Sequence, residues 1–279
     1  MNIGIIGQGF VGNAIYQKFK NYYNVLTYDL QANLCNSTLE EINENCNIIF
    51  VCLPTPMNKK DGSCYVGIVE EVLTELELMA SFTQQEKIII VKSTIPPGTT
   101  KKWNTQHTFL NIVFSPEFLT EANAVKDFEN QKRIILGGEK KSTTRLKPIF
   151  TKAFPKSSII KTDSTYAEMV KYVTNSFLAT KVSFANEMYQ ICNGLEIDYD
   201  KVIEYSCYDD RLGKSHWAVP GPDGDLGYGG HCFPKDVKAL INLSLKLKIN
   251  PEILVATDSK NNDIRSKRDW ENMKGRAVI

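Results

Sequence analysis

Asn2-Ile3-Gly4-Ile5-Ile6-Gly7-Gln8-Gly9-Phe10-Val11-Gly12 is the stretch that decides the fold. A short apolar run breaks into G-x-G-x-x-G, and a helical pattern follows over residues 10–19. A second apolar run, 25–28, ends on Asp29. Glycines at these spacings are weak evidence alone. A strand before them, a helix after them and an acid closing the next strand make the signal specific. Gly7 permits the tight turn, Gly9 lets the backbone approach a pyrophosphate, and Gly12 allows close helix–strand packing. The first turn of the helix, with Phe10 and Val11, then presents N–H groups and a positive dipole end to phosphates. Asp29 is placed to accept hydrogen bonds from an adenosine ribose and to repel a 2′-phosphate, which selects NAD over NADP. The competing reading is an ordinary strand–helix turn with a surface aspartate.

Outward from this turn, apolar runs at 3–6, 25–28, 48–52, 88–91, 112–114, 134–136 and 159–161 are strand candidates. Several are unbroken, as in parallel strands buried on both faces. Helical spacing at 66–80 and 142–150 lies between them, so an α/β, Rossmann-like doubly wound sheet is expected over residues 1–162. The pattern changes at Asp163. Residues 165–192 lack Gly and Pro, Thr165 and Glu168 have capping-box spacing, and Asn193-Gly194 supplies a stop. One long helix therefore opens a mostly helical central domain, 163–265, leaving a polar tail, 266–279. Residues 213–230 form a glycine-rich loop, and a loop this long inside a compact domain is usually functional. The segment 241–249 alternates like a strand, but Pro234 followed by Val237, Leu240 and Ile241 favours a helix.

The chain has 279 residues, which fits about two domains. Its 33 Lys and Arg against 32 Asp and Glu give a net charge of +1, which argues against nucleic-acid or membrane-surface binding. The most apolar stretch, 48–56, is far short of the ~20 residues that span a bilayer. No signal segment is expected at residues 2–6, which already read as structure. Seven cysteines with no Cys-x-x-Cys pair fit thiols in a reducing cytoplasm, with no metal site.

Cys232 follows Gly227-Tyr228-Gly229-Gly230-His231 and precedes Phe233-Pro234-Lys235-Asp236. With Pro234 opening a helix, the thiol lies at the helix N-terminus, where the dipole favours thiolate. Adjacent glycines let a substrate come close. His231 reads as scaffold, because sequence neighbours rarely face each other. Lys171 and Asn175 are four apart and share a helix face. They are either a solvated lysine with a polar neighbour or an ammonium and amide converging on an oxygen that gains charge. Asp236, one turn after Cys232, could equally be a simple first-turn acid.

Seven stretches resemble, in order, the nucleotide-sugar dehydrogenases of the UDP-glucose/GDP-mannose 6-dehydrogenase family, its UDP-glucose branch most of all. They are residues 7–12; Lys92-Ser93-Thr94-Ile95-Pro96-Pro97-Gly98-Thr99; Ser115-Pro116-Glu117-Phe118-Leu119-Thr120-Glu121; the helix from Glu168 to Glu187; Asp209-Asp210-Arg211-Leu212-Gly213; Val219-Pro220-Gly221-Pro222-Asp223-Gly224; and 227–236. The resemblance implies a four-electron oxidation of a sugar C6 alcohol to a carboxylate with two NAD, UDP-glucose being the implied substrate. GDP-mannose, a UDP-N-acetylhexosamine, or binding without turnover are the alternatives. It makes Cys232 the nucleophile that carries a thiohemiacetal and then a thioester. Lys171 and Asn175 become the oxyanion donors. Asp236, Thr94 and Glu121 become the water-positioning and proton-handling groups, Thr94 and Glu121 also lying against the cofactor. Glu117, Phe118, Leu119, Tyr228, Gly229 and Gly230 become the substrate lining, and Arg211, reaching a neighbouring subunit, implies a homodimer. Family members continue through a long central helix into a UDP-binding α/β domain. Residues 251–265 read as the start of that helix, and the chain is expected to lack the domain beyond it.

Overall fold

The computed structural model describes residues 1–279. The chain opens with β1 (Asn2–Ile6), α1 (Phe10–Phe19), β2 (Asn24–Tyr28), α2 (Leu39–Asn45) and β3 (Ile48–Val51). It continues through α3 (Gly67–Thr83), β4 (Lys87–Val91), α4 (Thr99–Gln106), β5 (Leu110–Phe114) and α5 (Ala124–Glu129). Then come β6 (Arg133–Gly137), α6 (Lys140–Ala153), β7 (Ser158–Thr162), α7 (Ser164–Gly194), α8 (Tyr199–Ser206), α9 (Cys232–Lys246) and α10 (Glu252–Ile264). It packs as two units, Met1–Thr55 with Val66–Lys171, and Pro56–Tyr65 with Tyr172–Ile279. Sequence character changes at 163, one residue before α7. Packing changes inside that helix, after Lys171, because Ala167 and Val170 still belong to the sheet core.

The first unit is a seven-stranded sheet in the order β2-β1-β3-β4-β5-β6-β7. Strand pairs are parallel except β5 and β6, which meet antiparallel at Phe114 and Gly137. The expected doubly wound sheet is thus mostly parallel, with this one antiparallel pair. An unbroken apolar run says that both faces are covered and carries no information on direction. In β3, Ile48 and Phe50 face the layer of α1, α5 and α6, while Ile49 and Val51 face α2, α3 and α4. Each such aliphatic or aromatic side chain contributes about 1.5–3 kcal/mol on burial. β1 lies between β2 and β3, so the chain reverses winding direction beside it, and the glycine turn leaves its carboxyl end at that switch point.

Helix α7 is 31 residues long. The expected capping box at its start is absent. Asp163 Oδ1 accepts from Thr165 N at 2.9 Å, and Glu168 is drawn elsewhere: its carboxylate accepts from Gly98 N at 2.6 Å and Thr100 N at 2.8 Å. These donors sit at the N-terminus of α4, whose cap, Gly98, has no side chain to offer. A non-local demand has overridden a local motif.

In the second unit, Tyr172 packs against Ala239, Leu240 and Leu243 of α9, with Leu254 of α10. The 241–249 alternation resolves as helix; α9 ends at Lys246, and Leu247 and Ile249 are exposed beyond it. The tail is not simply polar. Trp270, Ala277 and Val278 bury against Met57, whose N–H donates to Ala277 O at 2.8 Å and whose carbonyl accepts from Ile279 N at 3.0 Å. Three apolar side chains scattered among charges show no period, so nothing in the local pattern marks them. No helix is long and apolar enough to cross a membrane.

Candidate active site

The glycine turn is built as its spacing implies, each glycine for its own reason. Gly7 has φ +90°, a conformation that side chains rarely adopt, and its N–H donates to Tyr28 O at 2.8 Å. A Cβ on Gly12 would drive into the Gly7 carbonyl, whereas a Cβ on Gly9 would meet nothing within 4 Å. Gly9 caps α1 without a side chain. The cradle that a pyrophosphate needs is therefore present: open at Gly9 and aimed by the helix dipole. Asp29 follows β2, and its carboxylate accepts from Gln8 N at 2.7 Å and Gln31 N at 2.9 Å. These bonds fix the acid beside the glycine turn. The residues fit a dinucleotide.

Farther along the same unit, Thr94 is buried, and its carbonyl accepts from the Thr55 hydroxyl at 2.7 Å. Glu121 begins a short 3-10 turn and is exposed. The Lys171 ammonium is 2.8 Å from Glu117 Oε1 and also donates to the Glu117 carbonyl at 2.7 Å. Both side chains are buried, so the picture of a solvated lysine is wrong. The Phe118 ring takes the Lys171 ammonium at 5.6 Å and the Arg133 guanidinium at 4.8 Å. Burial pushes the Glu117 carboxyl up, but Lys171, the Leu119 N–H and Lys92 outweigh burial and hold it below the ordinary range. Lys92 donates to Pro116 O at 3.1 Å and to Ser115 Oγ at 3.3 Å, and burial lowers its ammonium to about 8 against the pull of Glu117.

In the second unit, Cys232 is itself the first residue of α9, and Pro234 sits in the first turn, two positions later than Cys232 rather than opening the helix. Asp236 is almost wholly buried. It accepts from Asn175 Nδ2 at 2.6 Å and from Lys235 Nζ at 2.6 Å. It is therefore not a solvated first-turn acid. Burial lowers the Lys235 ammonium, but Asp236, Cys232 and Cys64 together raise it well above the ordinary range. An ammonium that these groups keep charged favours, in turn, the thiolate at Cys232.

Of the loop residues, Tyr228 is buried among Ala179, Val237 and Phe233. Gly229 has an intramolecular reason to be glycine, since a Cβ there would collide with Arg265 and Asp269; Gly230 has nothing within 4 Å. His231 is buried at the N-cap of α9. Arg211 stands in solvent, its Nε 2.9 and 3.0 Å from the two carboxylate oxygens of Asp209. Sequence reasoning gave no role to Lys92, Lys235 or Arg265. The first two lie inside the motif stretches, next to Ser93-Thr94 and Asp236, which was the available signal.

Comparison with known proteins agrees with this geometry. Residues 20–154 match the NAD binding domain of the UDP-glucose/GDP-mannose dehydrogenase family, and residues 165–263 match its central domain. The UDP-glucose 6-dehydrogenase YwqF of Bacillus subtilis (strain 168) is 33% identical over 225 residues, 78% of this chain and 49% of that protein. The chain thus spans about half the length of this relative. The structure of a UDP-glucose dehydrogenase from the archaeon Pyrobaculum islandicum superposes with a TM-score of 0.85 at 26% identity, covering 94% of this chain and 68% of that one. The fold alone is shared with a UDP-D-ManNAc dehydrogenase from Pyrococcus horikoshii, with TM-score 0.77, 22% identity and coverage of 95% and 69%. With both domain matches in chain order, a glycine turn suited to NAD and relatives that are nucleotide-sugar dehydrogenases, this chain belongs to the UDP-glucose/GDP-mannose dehydrogenase family.

Proposed function

We propose that this chain carries the NAD-dependent oxidation of the C6 alcohol of UDP-glucose to the carboxylate of UDP-glucuronate. The observation that carries the proposal is Cys232 at the first position of α9, with Lys235 and the Asn175–Asp236 pair held in the same unit. NAD, when bound at the glycine turn, supplies the hydride acceptor for both oxidations. In the first, C6 loses a hydride and its hydroxyl a proton, giving an aldehyde. An aldehyde has no alkoxide from which to expel a second hydride until a nucleophile adds. The Cys232 thiolate forms that C–S bond, and the carbonyl oxygen takes a proton to give a thiohemiacetal. Loss of the remaining hydride and the hydroxyl proton leaves a thioester on Cys232. Water then breaks the C–S bond, returning the thiol and releasing the acid.

Lys171 and Asn175 stabilise the oxygen that gains charge in these steps. Asp236, Thr94 and Glu121 position the water and exchange its protons. The Glu117, Phe118 and Leu119 segment, with Tyr228, Gly229 and Gly230, shapes the sugar site. The exposed row Val173, Phe177, Phe184 and Ile191 on α7 supports a homodimer, with Arg211 reaching the second subunit's sugar. An odd number of cysteines, seven, with no Cys-x-x-Cys pair fits a reducing, cytoplasmic setting.

The test is stoichiometry. Two NADH per UDP-glucose are expected, whereas one per sugar refutes the covalent route. Turnover of GDP-mannose or a UDP-N-acetylhexosamine in place of UDP-glucose would reassign the substrate. No NADH with any sugar nucleotide would leave a binding protein. Cys232→Ser is expected to make no UDP-glucuronate, and a normal rate would remove Cys232 from the mechanism.

A further inference from the structure

The loop that delivers Cys232 has no regular structure from Gly213 to His231, yet it is held by a small set of buried side chains. Asn261, at the end of α10, is 1% exposed; its Oδ1 accepts from Tyr228 N at 2.7 Å and its Nδ2 donates to Tyr228 O at 3.0 Å. Arg265, just past α10, is the centre of the rest. Its guanidinium, 3% exposed, donates to the Asp223 carboxylate, to Leu226 O at 3.3 Å, to Lys267 O at 2.9 Å and to Asp269 Oδ1 at 3.5 Å. Asp225 Oδ2 lies 3.6 Å from Arg265 Nε and accepts from Lys267 N at 3.0 Å and Ser266 Oγ at 2.8 Å. Asp269 completes the circuit, its second oxygen accepting from Gly230 N at 2.9 Å. One guanidinium therefore ties the middle of the loop, at 223–226, to its last turn, two residues before Cys232. A side chain on Gly229 would occupy the space that Arg265 and Asp269 fill.

We propose that Arg265, acting through Asp269 and the Gly230 N–H, is a positioning residue that fixes Cys232 at the head of α9. The role rests on the reading of Cys232 as nucleophile. Its physical basis is the five-donor planar fork, which can meet three carboxylates and two carbonyls at once, as an ammonium cannot. Without it, Asp223, Asp225 and Asp269 repel one another around a void, and the Gly230 turn loses its anchor. The first turn of α9 then frays, and Cys232 leaves the dipole end and the field of Lys235, whose other charged or titratable neighbours are Asp236 in the same turn and Cys64 from the 56–65 segment.

The experiment uses the full 279-residue chain. Alkylation by iodoacetamide is followed at each cysteine by peptide mass spectrometry from pH 5 to 10, with Cys35 as internal reference. In Arg265→Met and Asp269→Ala, the pH midpoint for Cys232 is expected to rise by about half a unit, with roughly a threefold loss of rate at pH 7 and an unchanged plateau, the size of a lost helix-terminus interaction. Asp269→Asn keeps an oxygen for Gly230 N and is expected to retain the parent midpoint. A merely structural loosening would alter the plateau rate and leave the midpoint in place. The proposal is overturned if folded Arg265→Met keeps the parent midpoint, or if Asp269→Asn shifts as far as Asp269→Ala. Should Arg265→Met fail to fold, the two Asp269 variants decide alone. Alkylation needs no turnover, so a parent chain that makes no NADH would sink the proposed reaction and still leave this test readable.

Discussion

Replacing Lys171 by Met isolates the buried pair in the first unit. The substitution conserves volume but leaves the Glu117 carboxylate, 6% exposed, with the Leu119 N–H at 2.7 Å as its remaining short bond. Breaking a buried pair from one side costs about 3–5 kcal/mol. Here the loss has a ceiling, because the stranded acid can take a proton. From the ordinary carboxylate value of 4.5, holding it neutral at pH 7 costs about 3.5 kcal/mol, and at pH 5 less than about 1 kcal/mol. The sign follows from linkage. In the parent, Glu117 lies below its unfolded value, so its contribution is present above that value and is lost as pH falls through the folded one. In the variant, burial is opposed only by the Leu119 N–H and Lys92, and lower pH helps. The Lys171→Met deficit should therefore be about 3–4 kcal/mol at pH 7 and shrink to about 1 kcal/mol at pH 5. Adding Glu117→Gln should recover most of it. Hydrogen exchange at the fully buried β4 amides of Ile89, Ile90 and Val91 reads the opening free energy of this unit without assuming that the whole chain unfolds in one step. Equal deficits at the two pH values, or a double variant no better than the single, would refute the reasoning.

Three further outcomes are expected. Lys92, lowered to about 8 by burial, is proton-poor in the folded state between there and its ordinary 10.5, so stability should rise across that window by up to about 3 kcal/mol; Lys92→Met should abolish the rise in exchange-derived stabilities, and an unchanged slope would contradict it. Gly12→Ala must displace α1 from the rigid Gly7 carbonyl; a loss of about 1–3 kcal/mol in stability and a tenfold or greater loss in NADH affinity are expected by fluorescence titration, and unaltered affinity would separate this turn from cofactor binding. Phe177→Glu with Phe184→Glu places two charges on the exposed α7 row and should shift sedimentation toward monomer; a parent already monomeric would defeat the dimer assignment.

The seven strands and the glycine turn were legible because their evidence is local: apolar runs of strand length, separated by helical periods, on a chain that punctuates them with Gly and Asp. Strand direction at β6 was not legible, since burial on two faces looks the same either way up. Glu168 misled for a related reason. Its spacing from Thr165 satisfies the capping rule, but the α4 N-terminus, bearing only Gly98, makes a stronger claim on the carboxylate from far along the chain. Arg265 lies in a run of charges, Asp263-Ile264-Arg265-Ser266-Lys267-Arg268, where composition gives no reason to single out one cation as buried. Before α9, the helix-start position of Cys232 could be anticipated to within two residues, whereas the burial of Asp236 and its hold on Asn175 required the fold.

The placement of buried polar groups carries the strongest reason to regard these residues as selected for chemistry. Unit one buries Lys92, Glu117 and Lys171; unit two buries Asn175, Lys235, Asp236 and Arg265. Replacing a buried ion pair by apolar side chains of equal volume is typically neutral or stabilising by about 1–4 kcal/mol. A chain under pressure for stability alone would have no reason to keep such groups, and most of the first unit's interior shows that it can pack isoleucine and phenylalanine without them. Apart from Lys87 and Arg265, the buried charges also fall within the stretches that resemble the family's motifs. Preorganised dipoles in a dry setting cost stability in the resting protein and return it as stabilisation of charge that develops during reaction. On that logic the apolar double variant at Lys171 and Glu117 should match or exceed the parent in stability while losing turnover, a combination that a purely structural pair would not produce.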